Sequence, residues 1–222
     1  MSEPNNAIKV VLLGESGVGK TSIINQFTYH KFDPDCISNI SAQFVAKTME
    51  YQGYGTIKYD LWDTAGQERY RAMAKIFYKD AKVIIFVYDI TNMASFEGLK
   101  NYWYEQTKTN GEQDVILALA ANKSDLYADQ AVSEEEGQKF ADEIGAIFQT
   151  TSAMNDSGIG KLFEHIGKKI IDPEYNYKAS DDKAKDNYNK KLQKGKEMKY
   201  SGADRVKLVD DKINKPSKGC CK

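Results

Sequence analysis

Gly14-Glu15-Ser16-Gly17-Val18-Gly19-Lys20-Thr21 fits the pattern G-x-x-x-x-G-K-[ST] without a mismatch, and its surroundings decide the fold. The apolar stretch Val10 to Leu13 precedes it and Ser22-Ile23-Ile24-Asn25-Gln26-Phe27 follows, so the motif lies between an expected buried strand and an expected helix. A strand, a glycine-rich turn and a helix start in that order make a P-loop. Its glycines let the backbone curl until several N–H groups point inward; the helix start adds partial positive charge and Lys20 adds a full one. Thr21 offers a hydroxyl oxygen to Mg2+, an ion that keeps most of its waters and takes few protein ligands.

Working outward, strand-like runs recur at Ile8 to Leu13, Phe44 to Met49, Ile57 to Trp62, Val83 to Tyr88, Val115 to Ala121 and Ala146 to Thr150. Between them lie helical apolar stripes at Ile23, Ile24 and Phe27, at Phe96, Leu99 and Trp103, and at Leu162, Phe163, Ile166 and Ile170. This alternation predicts an α/β fold, a doubly wound, six-stranded and mostly parallel sheet with helices on both faces. On such sheets ligands gather at the carboxyl ends of the strands, where the remaining motifs also fall.

The third run ends in Trp62-Asp63-Thr64-Ala65-Gly66-Gln67-Glu68. Alone, Asp-x-x-Gly is a strand-ending turn; downstream of a P-loop it places the Asp63 carboxylate to hold Mg2+ through water and a Gly66 N–H to meet a terminal phosphate. The fifth run ends in Asn122-Lys123-Ser124-Asp125 and the sixth is followed by Ser152-Ala153. These choose the base. The Asp125 carboxylate can accept from the N1 and N2 donors of guanine, whereas adenine lacks that pair and would leave a buried charge unmatched. A kinase or ATPase reading is thereby disfavoured.

The chain has 222 residues and a formal net charge of -1, unevenly spread: residues 173–222 hold 14 Lys and Arg against 8 Asp and Glu, so the tail is basic and the body acidic. The longest apolar run, Val83 to Tyr88, suits a buried strand rather than a membrane span. Ser2-Glu3-Pro4-Asn5-Asn6 has no signal-peptide character, so an intracellular protein is expected. The three cysteines suit neither a disulfide framework nor a zinc site, and His30 and His165 read as ordinary side chains. With no basic face on the body, nucleic-acid binding is not expected.

Together, the P-loop, Asp63-Thr64-Ala65-Gly66-Gln67, Asn122-Lys123-Ser124-Asp125 and Ser152-Ala153 resemble a Ras-superfamily small GTPase, a P-loop NTPase G domain. Trp62 to Met73, Phe77-Tyr78-Lys79-Asp80-Ala81 and Val87-Tyr88-Asp89-Ile90-Thr91 are similar to Rab segments. Tyr70, Ala42-Gln43-Phe44 and Lys47-Thr48 lean toward the early-endosomal Rabs. The resemblance implies a flexible start over 1–6, a G domain over 7–172 and a hypervariable tail over 173–222. It implies GTP or GDP with Mg2+. The phosphates would lie on Ser16, Gly17, Val18, Gly19, Lys20, Thr21, Ser22 and Gly66, and the base against Phe32, Asn122, Lys123, Asp125, Ser152, Ala153 and Met154. Gln67 stands where the family's glutamine orients the attacking water, and Phe44, Trp62 and Phe77 match its hydrophobic effector patch. Slow hydrolysis, raised by an activating protein, is expected. So are effectors, an exchange factor, a dissociation inhibitor and a prenylation escort protein, with the chain itself a monomer.

Two features depart from or extend the pattern. The family's first-switch threonine, a Mg2+ ligand, is replaced by Asn39, and Cys36 takes the place of a switch aromatic. An amide oxygen can ligate Mg2+, but from a longer side chain; Ser38 is the substitute if the loop slides. A nucleotide-binding scaffold with impaired hydrolysis is therefore the alternative reading. At the end of the chain, Gly219-Cys220-Cys221-Lys222 resembles the Rab double-geranylgeranylation signal, with Val206 and Leu208 like its escort-binding patch. Two chains give stable anchoring where one does not. The expected address is the cytoplasmic face of an endomembrane, endosomal by the lean above, with a cytosolic pool.

Overall fold

The computed structural model describes residues 7–34, 43–64, 79–112, 114–175 and 177. Six strands form one sheet among these residues: β1 (Ile8–Leu13), β2 (Gln43–Tyr51), β3 (Gly55–Asp63), β4 (Val83–Asp89), β5 (Ile116–Asn122) and β6 (Ile147–Thr150). Their order is β2-β3-β1-β4-β5-β6, with β2 antiparallel to β3 at one edge and every other pairing parallel. The order reverses at β1, so the loop after β1 opens at the topological switch point, where such sheets bind ligands.

Alternation along the central strands sends side chains to two cores. Val10 and Leu12 of β1, with Val83, Ile85 and Val87 of β4, pack against α1 (Lys20–Tyr29) and the last helix, Ile159–Ile171. Val11, Leu13, Ile84, Phe86 and Tyr88 face the other way. They meet α2 (Met93–Gly98), the π-helical stretch (Leu99–Tyr104) that continues it into α3 (Glu105–Asn110), and α4 (Glu134–Ile144). The last helix is α5. β4 is buried at all seven positions, as a strand covered on both faces must be.

The helices start and stop for local reasons. Ser133 and Glu136 form a reciprocal capping box at the start of α4, and Gly145 ends it in the left-handed conformation at φ 68°. The apolar stripe of α4 is faint in the sequence, because Gly137, Phe140 and Ala141 are its buried members and two of them are small. The packed unit runs to Tyr177. Tyr175 donates to or accepts from His165 Nδ1 at 2.6 Å, and Tyr177 donates its hydroxyl to the Phe148 carbonyl at 2.5 Å. Among the described residues no helix is long and apolar enough to cross a membrane.

Candidate functional site

The loop between β1 and α1 is the candidate phosphate side. Ser16 and Gly17 are exposed at its tip, while Val18 is buried beneath them and Ser22 is half-buried on α1. Gly19 begins α1 at φ 96°, and a side chain there would collide with the Asn122 amide; both facts require glycine. Lys20 is 5% exposed. Its ammonium donates to the carbonyls of Gly14 at 2.9 Å and Glu15 at 2.8 Å. Burial pushes its pKa down to about 8, against the nearby carboxylates of Asp63 and Glu15, which raise it. A desolvated ammonium ringed by loop carbonyls gains by meeting an anion.

Asp63 closes β3, 2% exposed, and accepts the Thr21 hydroxyl at 2.6 Å through Oδ2. The parallel pairing of β1 with β3 sets Leu12 beside Asp63, which carries this carboxylate to the start of α1. Thr64 donates to the Leu12 carbonyl at 2.6 Å, holding the strand end in place.

The candidate base side lies at the ends of β5 and β6. Asn122, 2% exposed, donates from Nδ2 to the Val18 carbonyl at 2.8 Å and accepts from the Thr151 hydroxyl at 3.1 Å. One buried amide thus ties the phosphate loop to both strands. Lys123 adopts the left-handed conformation at φ 65° and ψ 37°, an uncommon state for a side chain this size, which turns the chain sharply so that Asp125 comes back toward Ser152. Ser152, 1% exposed, donates to Asp125 Oδ1 at 2.5 Å and its hydroxyl accepts the Asn155 N–H at 3.1 Å. Ala153 is buried and Met154 exposed in the same turn.

Lys123 itself pairs with Asp89 Oδ2 at 2.6 Å. Asp89 terminates β4, and its other oxygen accepts the Thr91 N–H at 2.9 Å and hydroxyl at 2.8 Å. Three contributors were not singled out in the sequence: Glu15, Asp89 and Thr151. A carboxylate at the end of an otherwise apolar buried strand was the available signal for Asp89. Nothing local marked Thr151, which is wholly buried.

Phe32 lies past the end of α1, 39% exposed. Phe44, 52% exposed, meets Trp62 edge to face with ring centres 5.5 Å apart, and the Lys9 ammonium stands 5.1 Å from the Trp62 ring centre. Cys36, Ser38, Asn39, Gly66, Gln67, Phe77, Val206, Leu208, Cys220 and Cys221 lie outside the described residues.

The Ras family model matches residues 9–172, a span that contains every element just described from the P-loop to Ser152. The chain belongs to the Rab small GTPases of the Ras family. It is 43% identical to human "Ras-related protein Rab-22A" over 163 residues, covering 73% of this chain and 83% of that one. It is 40% identical to "Ras-related protein Rab2BV" of Beta vulgaris, covering 73% and 75%. With "Ras-related protein RABF2b" of Arabidopsis thaliana the identity is 38%, covering 73% and 80%. This Rab is thus a GTPase on a Ras-type G domain, as its motif order implied.

Proposed function

We propose that this Rab is a lipid-anchored switch of vesicle trafficking that selects guanine through Asp125, holds the nucleotide phosphates on the loop around Lys20, and recruits effectors in its GTP form. The observation that carries the reading is the Asn122 amide. It joins the loop that suits an anion to the strand ends that suit a base, so both halves form one site. Likeness to Rab-22A supports an endosomal membrane, and Cys220 with Cys221 supplies the two lipid attachment points. An exchange factor, an activating protein, a dissociation inhibitor and an escort protein would act on the monomeric chain.

The donor set fits Mg2+. Thr21 and Asp63 bring two hard oxygen donors together at 2.6 Å beside the phosphate loop, and so few protein oxygens suit an ion that keeps its waters. Asn39 is the proposed further ligand. When bound, the ion offsets negative charge on the phosphates. Lys20 then meets the phosphates with a second positive charge, the loop N–H groups orient them, and Gln67 positions the attacking water. Lys123, held by Asp89, would flank the base, and the Ala153 N–H would reach the guanine carbonyl.

Asn39 also favours a second reading, a scaffold that binds nucleotide and hydrolyses little. Single-turnover GTP hydrolysis by wild type, Gln67→Leu and Asn39→Thr separates the two. A working switch hydrolyses slowly, stalls in Gln67→Leu and changes only modestly in Asn39→Thr. Wild type as inert as Gln67→Leu, with hydrolysis restored in Asn39→Thr, would establish the scaffold instead.

A further inference from the structure

Glu15, at the second position of the phosphate loop, is held from outside the loop. The buried Trp103 donates its indole N–H to Glu15 Oε1 at 3.1 Å across 88 residues of sequence. Gly98 makes room for the same carboxylate: a Cβ at that position would stand 2.8 Å from Oε1, 3.2 Å from Cγ and 3.3 Å from Cδ. Any larger residue at 98 would displace the Glu15 side chain. Both partners belong to one continuous helical run, and Trp103 sits in its π-helical part, Leu99–Tyr104. Such segments are rare in helices and concentrate at functional sites. The main-chain carbonyl of Glu15 accepts from Lys20 at 2.8 Å. A side chain fixed by Trp103 therefore fixes the carbonyl that aims the ammonium.

We propose that Glu15 is a positioning residue for the nucleotide phosphates, latched by Trp103 and Gly98 so that the Gly14 and Glu15 carbonyls hold Lys20 where the phosphate beyond the first one binds. The proposal rests on the guanine-nucleotide reading above. It makes the face of α2 and its π-helical continuation, remote from the base, a determinant of GDP retention. Because the latch acts through Lys20, it distinguishes nucleotides by phosphate number and is indifferent to the base.

The test measures the affinity of GDP and of GMP by displacement of a fluorescent GDP from wild type, Glu15→Ala, Glu15→Gln, Trp103→Phe and the double variant Glu15→Ala/Trp103→Phe. Glu15→Ala and Trp103→Phe should each weaken GDP by about tenfold, the scale of one hydrogen bond to a charged group, and leave GMP within about twofold. Glu15→Gln, whose amide oxygen still accepts from Trp103, should stay near wild type. The double variant should be no worse than the worse single one, because both break the same contact. Trp103→Phe keeps the aromatic packing and carries the comparison if Glu15→Ala does not fold. The proposal is overturned if GDP and GMP weaken together, if neither moves, or if the double variant shows the sum of the singles. Wild type that binds no GDP would overturn the nucleotide reading and the latch with it.

Discussion

The base side and the phosphate side of the site solve opposite problems. Around Asn122, Asp125 and Ser152, side chains hydrogen-bond one another, at 2.5 Å between Ser152 and Asp125 and 3.1 Å between Thr151 and Asn122, so this half is organised before any ligand arrives. The phosphate side instead buries the Lys20 charge against two carbonyl oxygens, an arrangement that costs stability until an anion compensates it. In the proposed reading, specificity rests on a network the fold would keep anyway, and affinity on a charge the fold tolerates. Substitutions on the two sides should separate along that line.

The largest effect should come from Lys20→Met. Removing the buried charge should lower GDP affinity by about two hundredfold to about five-thousandfold, corresponding to the roughly 3–5 kcal/mol of a desolvated charge contact. The melting temperature of the nucleotide-free protein should hold or rise. A fall in both would show that Lys20 serves the fold, and the contrast between the two sides would collapse.

Asn122→Ala attacks the other side and should do the reverse. It strands the Val18 carbonyl and the wholly buried Thr151 hydroxyl, costing about 2–6 kcal/mol of stability by urea unfolding at roughly 1–3 kcal/mol for each buried group left unsatisfied. Unchanged stability would mean that the amide is not the tie between the loop and the strands.

The smallest effect is in pH. With its pKa depressed to about 8, Lys20 is charged below that pH and loses its proton above it, while a bound phosphate would pull the value back up. GDP affinity should therefore be full below about pH 8 and fall by up to about tenfold per unit above it. The fold alone has the opposite sign. The unfolded lysine, at 10.5, binds more protons than the folded one, so nucleotide-free stability should gain as pH rises between the two values. A wild-type affinity profile as flat as that of Lys20→Met would remove the ammonium from phosphate binding.

Much of this was legible in the sequence because it is local. Strand runs such as Ile8 to Leu13 match the observed strand residue for residue, since a buried parallel strand must be continuously apolar. The expected P-loop lies between a strand and a helix, and Asn122 and Ser152 fall at strand ends, because turn chemistry and apolar runs are written in adjacent residues. What escaped is long-range or irregular. The stripe Phe96, Leu99 and Trp103 announced a helix but not its π-helical stretch, because one widened turn barely disturbs apolar spacing. The Trp103 to Glu15 and Lys123 to Asp89 contacts join residues far apart, with no periodicity to betray them. Tyr175 and Tyr177 escaped for a third reason: they pack where the helical pattern has already ended.

The most direct test of the account is the base preference of Asp125→Asn, read as displacement of a fluorescent GDP by GDP, XDP and ADP. Xanthine carries an oxygen where guanine has its N2 donor, so an amide at 125 can donate where the carboxylate only accepts. The account predicts that wild type prefers GDP and ignores ADP, and that Asp125→Asn loses about a hundredfold for GDP, on the scale of a buried charge-assisted pair, while gaining XDP. Wild type that binds ADP as well as GDP, or Asp125→Asn with an unchanged order of preference, would contradict it.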